Sequence, residues 1–217
     1  MRMNKYIKLI RDNVNLKGYS NSKGFLGFFE RIGQYDEALE IKATSMVLKT
    51  LGSNNLIPVI SSLTLGKNLE RIAQRNDLNI NNFARDIKLL HKFNIVHLYE
   101  YFDKSGYVNN PTDIQAMDNK LNEFENDFSV IMISRHELEE ILCIILKYCY
   151  CFIGHSFIIL DNLKVISYPH QDETGFGFIS YEKRYNKKEK EFIKLFANKD
   201  FRFITYDDIE KNRIARG

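Results

Sequence analysis

Apolar side chains recur along this chain every three to four residues in some stretches and every second residue in others, which sorts it into helices and strands. Leu69, Ile72 and Ala73 fall on one face of a short helix beginning at Lys67, and the small Ala73 suits the close crossing of a second helix. Asp77-Leu78-Asn79 makes a short polar connection, after which Asn79 or Asn81 caps the next helix. Phe83, Ala84, Ile87 and Leu90 form the stripe of that helix, and Phe93 and Ile95 carry it into a strand. The following HLYEYFDKSGYV alternates around Asp103-Lys104-Ser105-Gly106, where Gly106 supplies the positive φ that a tight hairpin loop needs. Upstream, residues 35–51 read as a helix. Between it and Lys67 lies SNNLIPVISSLTLG, in which Pro58 argues for an edge strand or an extra packing turn.

The N-terminal stretch reads as a short amphipathic element, with Tyr6, Ile7, Leu9 and Ile10 among Lys5, Lys8 and Arg11. GYSNSKGFLGFFERIG follows as a glycine-punctuated connection that packs on the first helix. Its glycines form no phosphate-binding loop, because no G-x-x-x-x-G-K-[ST] pattern surrounds them. A boundary falls near Asn109-Asn110-Pro111-Thr112-Asp113, followed by an acidic segment with Ile114, Met117, Leu121 and Phe124 at helical spacing, either a connecting or dimer-forming helix or part of the core. Residues 128–133 read as a strand, and Ser134 with Glu137 offers a capping box to a helix that buries Leu138, Ile141, Leu142 and Ile145. SFIILDN, LKVISYP and GFGFISYE are strand-like, KKEKEFIKLFANKD is an amphipathic helix and FRFITYD is a last strand. The second half is therefore expected to be α+β, with two helices against an antiparallel sheet of four or so strands.

Charge changes the picture more through its distribution than through its total of +3. Basic and acidic side chains number seven and two over residues 1–34, nine and eight over 35–112, four and eleven over 113–181, and eleven and seven over 182–217. The acidic third segment repels a phosphate backbone and points instead to protein, ligand or solvent. The 217 residues are ample for real cores, and an abundance of Asn, Lys, Ile, Phe and Tyr without tryptophan suggests an AT-rich coding sequence such as bacteria and phages carry. Neither a membrane span nor a signal peptide is indicated, so a cytoplasmic location is the default expectation.

The string FARDIKLLHKFNIV, with the alternating hairpin after it, resembles the recognition helix and first wing strand of winged helix-turn-helix transcription regulators, over residues 35–108. Together with the charge and periodicity of the flanking segments, this gives an α+β chain in three parts: a basic segment, 1–34, packed on a winged helix-turn-helix, 35–112, followed by a dimerisation, sensor or interaction domain, 113–217. The resemblance implies double-stranded DNA as partner. Asn81, Asn82 and Arg85 would read bases in the major groove, Lys88 and Lys92 would hold phosphates, and Lys104 would anchor the wing.

Two further constellations carry chemistry on paper. Cys143, Cys149 and Cys151 lie in an apolar run, where free cysteine behaves as a small hydrophobe, rather than on the turns that structural zinc favours. His170 with Asp172 and Glu173 sits between two strands and suits acid-base work or a divalent metal, although an exposed hairpin loop accounts for the same residues. Asp161, Lys164 and Glu182 imitate nuclease spacing only weakly, and His136-Glu137 lacks the second histidine of a zinc protease. No metal, cofactor or catalytic residue is therefore assigned. The expected function is a DNA-binding regulator of bacterial, phage or mobile-element type, with a homodimer as a further expectation. The alternative is a non-enzymatic protein-interaction factor, such as a phage-type inhibitor or immunity protein, that uses the winged helix as scaffold and the acidic 113–181 region as its adhesive surface. A metal-dependent nuclease ranks below both.

Overall fold

The computed structural model describes residues 3–34, 36–52, 56–65, 80–93, 95, 127–148, 152–170, 174–182 and 186–216. Along these the helices are α1 (Met3–Asn13), α2 (Glu37–Lys49), α3 (Ile80–Lys92), α4 (Arg135–Lys147), α5 (Asn186–Phe196) and α6 (Tyr206–Arg216). The strands are β1 (Phe25–Arg31), β2 (Leu56–Ser61), β3 (Thr64–Leu65), β4 (Ser129–Ser134), β5 (Phe152–Ile153), β6 (Ser156–Leu160), β7 (Val165–His170), β8 (Gly175–Ser180) and β9 (Phe201–Ile204). Seven of them form one antiparallel sheet in the order β4-β2-β6-β7-β8-β1-β9, with β3 and β5 paired separately. Strands from residues 1–34, 35–112 and 113–217 all enter that sheet.

Both faces of the sheet are covered. Leu26, Phe29, Val59, Ile158, Phe176 and Phe178 point to the side where α2, α3, α4 and α5 pack. Phe25, Ile60, Phe157, Ile166 and Ile179 point to the other, against Ile10 of α1 and Ile209 of α6. Two-sided burial explains why β6 and β8 read as continuous apolar runs instead of alternating. In β1 the alternation slips by one residue at a bulge beside Gly27, so Leu26 and Phe29 share a face although three positions apart. Gly27 has φ 134°, and a Cβ there would lie 2.3 Å from the Ile204 carbonyl oxygen. No other residue type fits.

The sequence expectations are met unevenly. The helices expected over 35–51, 81–92 and after Ser134 are present, and Ser134 with Glu137 forms the full capping box. Phe93 and Ile95 are buried and close α3, their N–H groups both donating to the Leu90 carbonyl, and the strand expected after them lies outside the described residues. Pro58 is not on an edge strand, because β2 lies between β4 and β6. It is tolerated because pairing with β6 runs only from Val59 to Ser61. The expected four or so strands become seven because FLGFFER and LIPVIS join the sheet, and α6 follows the last strand where no helix was expected. The helix at 67–76, the hairpin at 97–108 and the helix at 113–126 lie outside the described residues, so of the expected winged arrangement the structure describes the first helix, α2, and the recognition helix, α3. Among the described residues no helix is long and apolar enough to cross a membrane.

Candidate functional site

The expected nucleic-acid face centres on α3, whose inward side is unusual. Leu90 is fully buried, and beside it the Asp86 carboxylate is only 4 % exposed. Tyr148, just past α4 and 1 % exposed, donates its hydroxyl to Asp86 Oδ2 at 3.0 Å. Lys147 Nζ lies 4.0 Å from the same oxygen and 3.0 Å from Glu37 of α2. A buried carboxylate with a phenol donor and a cation at its edge is thus the polar anchor that fixes α3 to α4.

The outward side of α3 presents Arg85, Lys88, His91 and Lys92, all exposed. Arg85 leans on Asp86 at 3.4 Å while remaining 78 % exposed. Lys92 donates to Glu137 of α4 at 2.5 Å, and this ion pair, with the Ser134 hydroxyl, pulls the Glu137 carboxyl down to about 2. Of the residues assigned to DNA, Arg85, Lys88 and Lys92 therefore share a solvent-facing surface, with Lys92 partly engaged inside the chain. The side chains of Asn81 and Asn82, and all of Lys104, lie outside the described residues.

That surface borders a groove of about 530 Å³ between α2, α3 and α4. Its accessible carboxylates are Glu37, Glu139 and Glu140, with the buried Glu40 and Asp86 beneath them, and its cations are Arg85 and Lys147. The apolar contribution comes from Ile41, which is 57 % exposed, with Leu89 and Ile144. Local sequence builds this site directly. Asp36 accepts from the Ala38 N–H and starts α2, the Ser134 box starts α4, and Arg135 donates to the Leu48 carbonyl at 2.5 Å, tying the end of α2 to the beginning of α4. The two helices consequently run antiparallel and place their glutamates along one trough. Cys143 also lines it, its thiol held in the protonated form by burial and 3.6 Å from Thr44 Oγ1. Cys149 and Cys151 lie outside the described residues.

The histidine loop is only partly assembled. His170 ends β7 with its ring stacked on Phe28 at 4.2 Å, whereas Asp172 and Glu173 lie outside the described residues. Antiparallel pairing brings His155, just before β6, to the same end of the sheet, and both histidines line a cavity of about 300 Å³. Tyr19 Oη and His155 Nδ1 form a 2.5 Å hydrogen bond whose donor depends on the imidazole tautomer, and burial lowers the His155 pKa. Asp161, Lys164 and Glu182 sit at the opposite end of β7, about 17 to 20 Å away by strand rise. Asp161 there accepts from the Tyr181 hydroxyl at 2.9 Å. The nuclease-like carboxylates and His170 are not brought together.

Sequence reasoning missed the Asp86–Tyr148 anchor and the groove. An acidic residue one position from the apolar stripe of a helix, as Asp86 is, was the available signal for the first. For the second there was none within any one segment, because its walls come from three parts of the chain. No protein family, no curated protein and no solved structure matches this chain.

Proposed function

We propose that this chain is a non-enzymatic protein-binding module that takes a basic, partly apolar segment of a partner in the groove between α2, α3 and α4. The observation that carries this reading is the composition of the groove: three accessible carboxylates, Glu37, Glu139 and Glu140, stand around an exposed isoleucine, with Arg85 the exposed cation opposite them. A polyanion is repelled by such walls, whereas lysine or arginine side chains interleaved with leucines find both charge and apolar complementarity. The reading is tested by fluorescence anisotropy with a labelled lysine–leucine amphipathic peptide and its sequence-scrambled control. Saturable binding of the first alone is expected, and it is lost on Glu139→Lys with Glu140→Lys. Equal binding of both peptides, or insensitivity to that double substitution, overturns the reading.

A DNA-binding regulator of bacterial, phage or mobile-element type is the second reading, supported by the exposure of Arg85 and Lys88 together on the outward side of α3. Titration of a mixed-sequence duplex at two salt concentrations separates the two. DNA binding through α3 requires a steep loss of affinity with salt and a further loss in Arg85→Ala with Lys88→Ala. Unchanged duplex binding in that variant removes the second reading.

A further inference from the structure

α2 stands as a ridge between two depressions of opposite charge. On one flank is the acidic groove; on the other, a larger one of about 900 Å³ lies between α2 and α5. Ile41 lines both, and Leu195, 54 % exposed, stands across the second. That second depression carries Lys42, Lys49 and Lys199, with no carboxylate among its described lining residues. Lys42 is paired with Asp200, while Lys49 and Lys199 are exposed.

Helical geometry explains the segregation. At about 100° per residue, Lys42 and Lys49 fall roughly 100° and 80° to one side of Ile41, and the exposed Glu37 roughly 40° to the other, with Glu40 turned further round into the interior. The Lys147–Glu37 and Arg135–Leu48 contacts fix α4 antiparallel to α2, so Glu139 and Glu140 stand beside the middle of α2, between the heights of Lys42 and Lys49. A two-fold axis in the contact plane and parallel to α2 exchanges the flanks of the ridge without changing height along it. The lysine flank of one copy then meets the carboxylate flank of the other twice, with the isoleucines at the centre.

We propose that the α2 ridge is a homodimer interface, the occupant of each acidic groove being the lysine flank of a second copy of this chain. This rests on the reading of that groove as a protein-binding surface and names its partner.

The test is analytical ultracentrifugation of the full chain over a range of concentration, with circular dichroism to confirm folding. Two flank-reversed variants are needed, Lys49→Glu with Lys199→Glu, and Glu139→Lys with Glu140→Lys. Each alone is expected to raise the dimer dissociation constant about tenfold or more through like-charge contacts. Mixed in equal parts they are expected to form a heterodimer with affinity near that of the unaltered chain, because every reversed flank then meets its reversed complement. Failure of the mixture to restore the dimer overturns the proposal, as does an unaltered chain that stays monomeric throughout. A monomeric chain that still binds the lysine–leucine peptide leaves the groove reading standing; one that does neither removes both.

Discussion

Replacing Tyr148 by Phe removes one oxygen from the interior and keeps the ring, which isolates the anchor between α3 and α4 from any cavity effect. The hydroxyl donates at 3.0 Å to a carboxylate that is 4 % exposed. Hydrogen bonds to charged groups contribute about 1.5 to 3 kcal/mol, and stranding a buried acceptor costs a similar amount. Arg85 at 3.4 Å and Lys147 at 4.0 Å remain beside Asp86 and offset part of the loss. The expected destabilisation is therefore at the lower end, about 1.5 to 2 kcal/mol, or roughly 3 to 8 °C in Tm for a chain of this length. Urea unfolding followed by circular dichroism measures it. A double-mutant cycle with Asp86→Asn should return a coupling of about 1 kcal/mol or more. Amide exchange should quicken in α3 while β6 to β8 stay protected. A loss under about 0.5 kcal/mol, or strict additivity in the cycle, would refute the claim that this bond docks α3.

Gly27→Ala drives a Cβ to 2.3 Å from the Ile204 carbonyl oxygen at φ 134° and is expected to cost well over 2 kcal/mol in thermal unfolding. Gly33→Ala, at φ 83° in open space, should cost only about 1 to 2 kcal/mol. Glu137 is held down chiefly by Lys92, so its stabilising contribution is present above the ordinary carboxylate value and lost as pH falls toward about 2. In Lys92→Met a carbon-detected carboxyl titration should find that group well above its position in the unaltered chain. Arg202 donates from both Nε and Nη2 to Oε1 of Glu30, directly opposite on β1 and only 7 % exposed. Arg202→Ala should destabilise by about 1 to 3 kcal/mol, with Arg202→Lys recovering part of that in chemical unfolding.

What could be read in the sequence followed the range of the interaction that made it. Capping is local, so Ser134 and Glu137 announced α4 correctly, and the stripe Ile87 and Leu90 announced α3. Strand pairing is not local. FLGFFER carries no alternation because β1 is buried on both faces and shifts phase at Gly27, so its sequence reads as a connection. Pro58 misled for a related reason: a missing N–H bars a residue from a ladder, not its whole strand from the sheet interior, and pairing with β6 simply stops before it. The winged helix suggests itself from two helical stripes, a turn and a hairpin over 67–108, of which the described residues include α3 with its outward cationic row. The carboxylates facing that row come from α2 and α4, far away in the chain.

Those carboxylates decide how α3 behaves toward a polyanion. Charge beyond a Debye length, about 8 Å at physiological salt, is largely screened, so what a phosphate meets near Arg85 is set by the immediate walls. Arg85 leans on Asp86 and shares its groove with the accessible Glu37, Glu139 and Glu140, and Lys92 is engaged with Glu137. A helix so placed has little net attraction to offer a uniform line of negative charge, while it offers strong, short-ranged contrast to a surface that alternates sign. The α2 ridge is such a surface, with lysines on one flank and carboxylates on the other. Reversing one flank alters attraction without altering apolar contact, and reversing both in separate copies restores it. Recognition built on α2 must therefore respond to the sign of the charges, and Ile41→Ala should weaken it without changing that response.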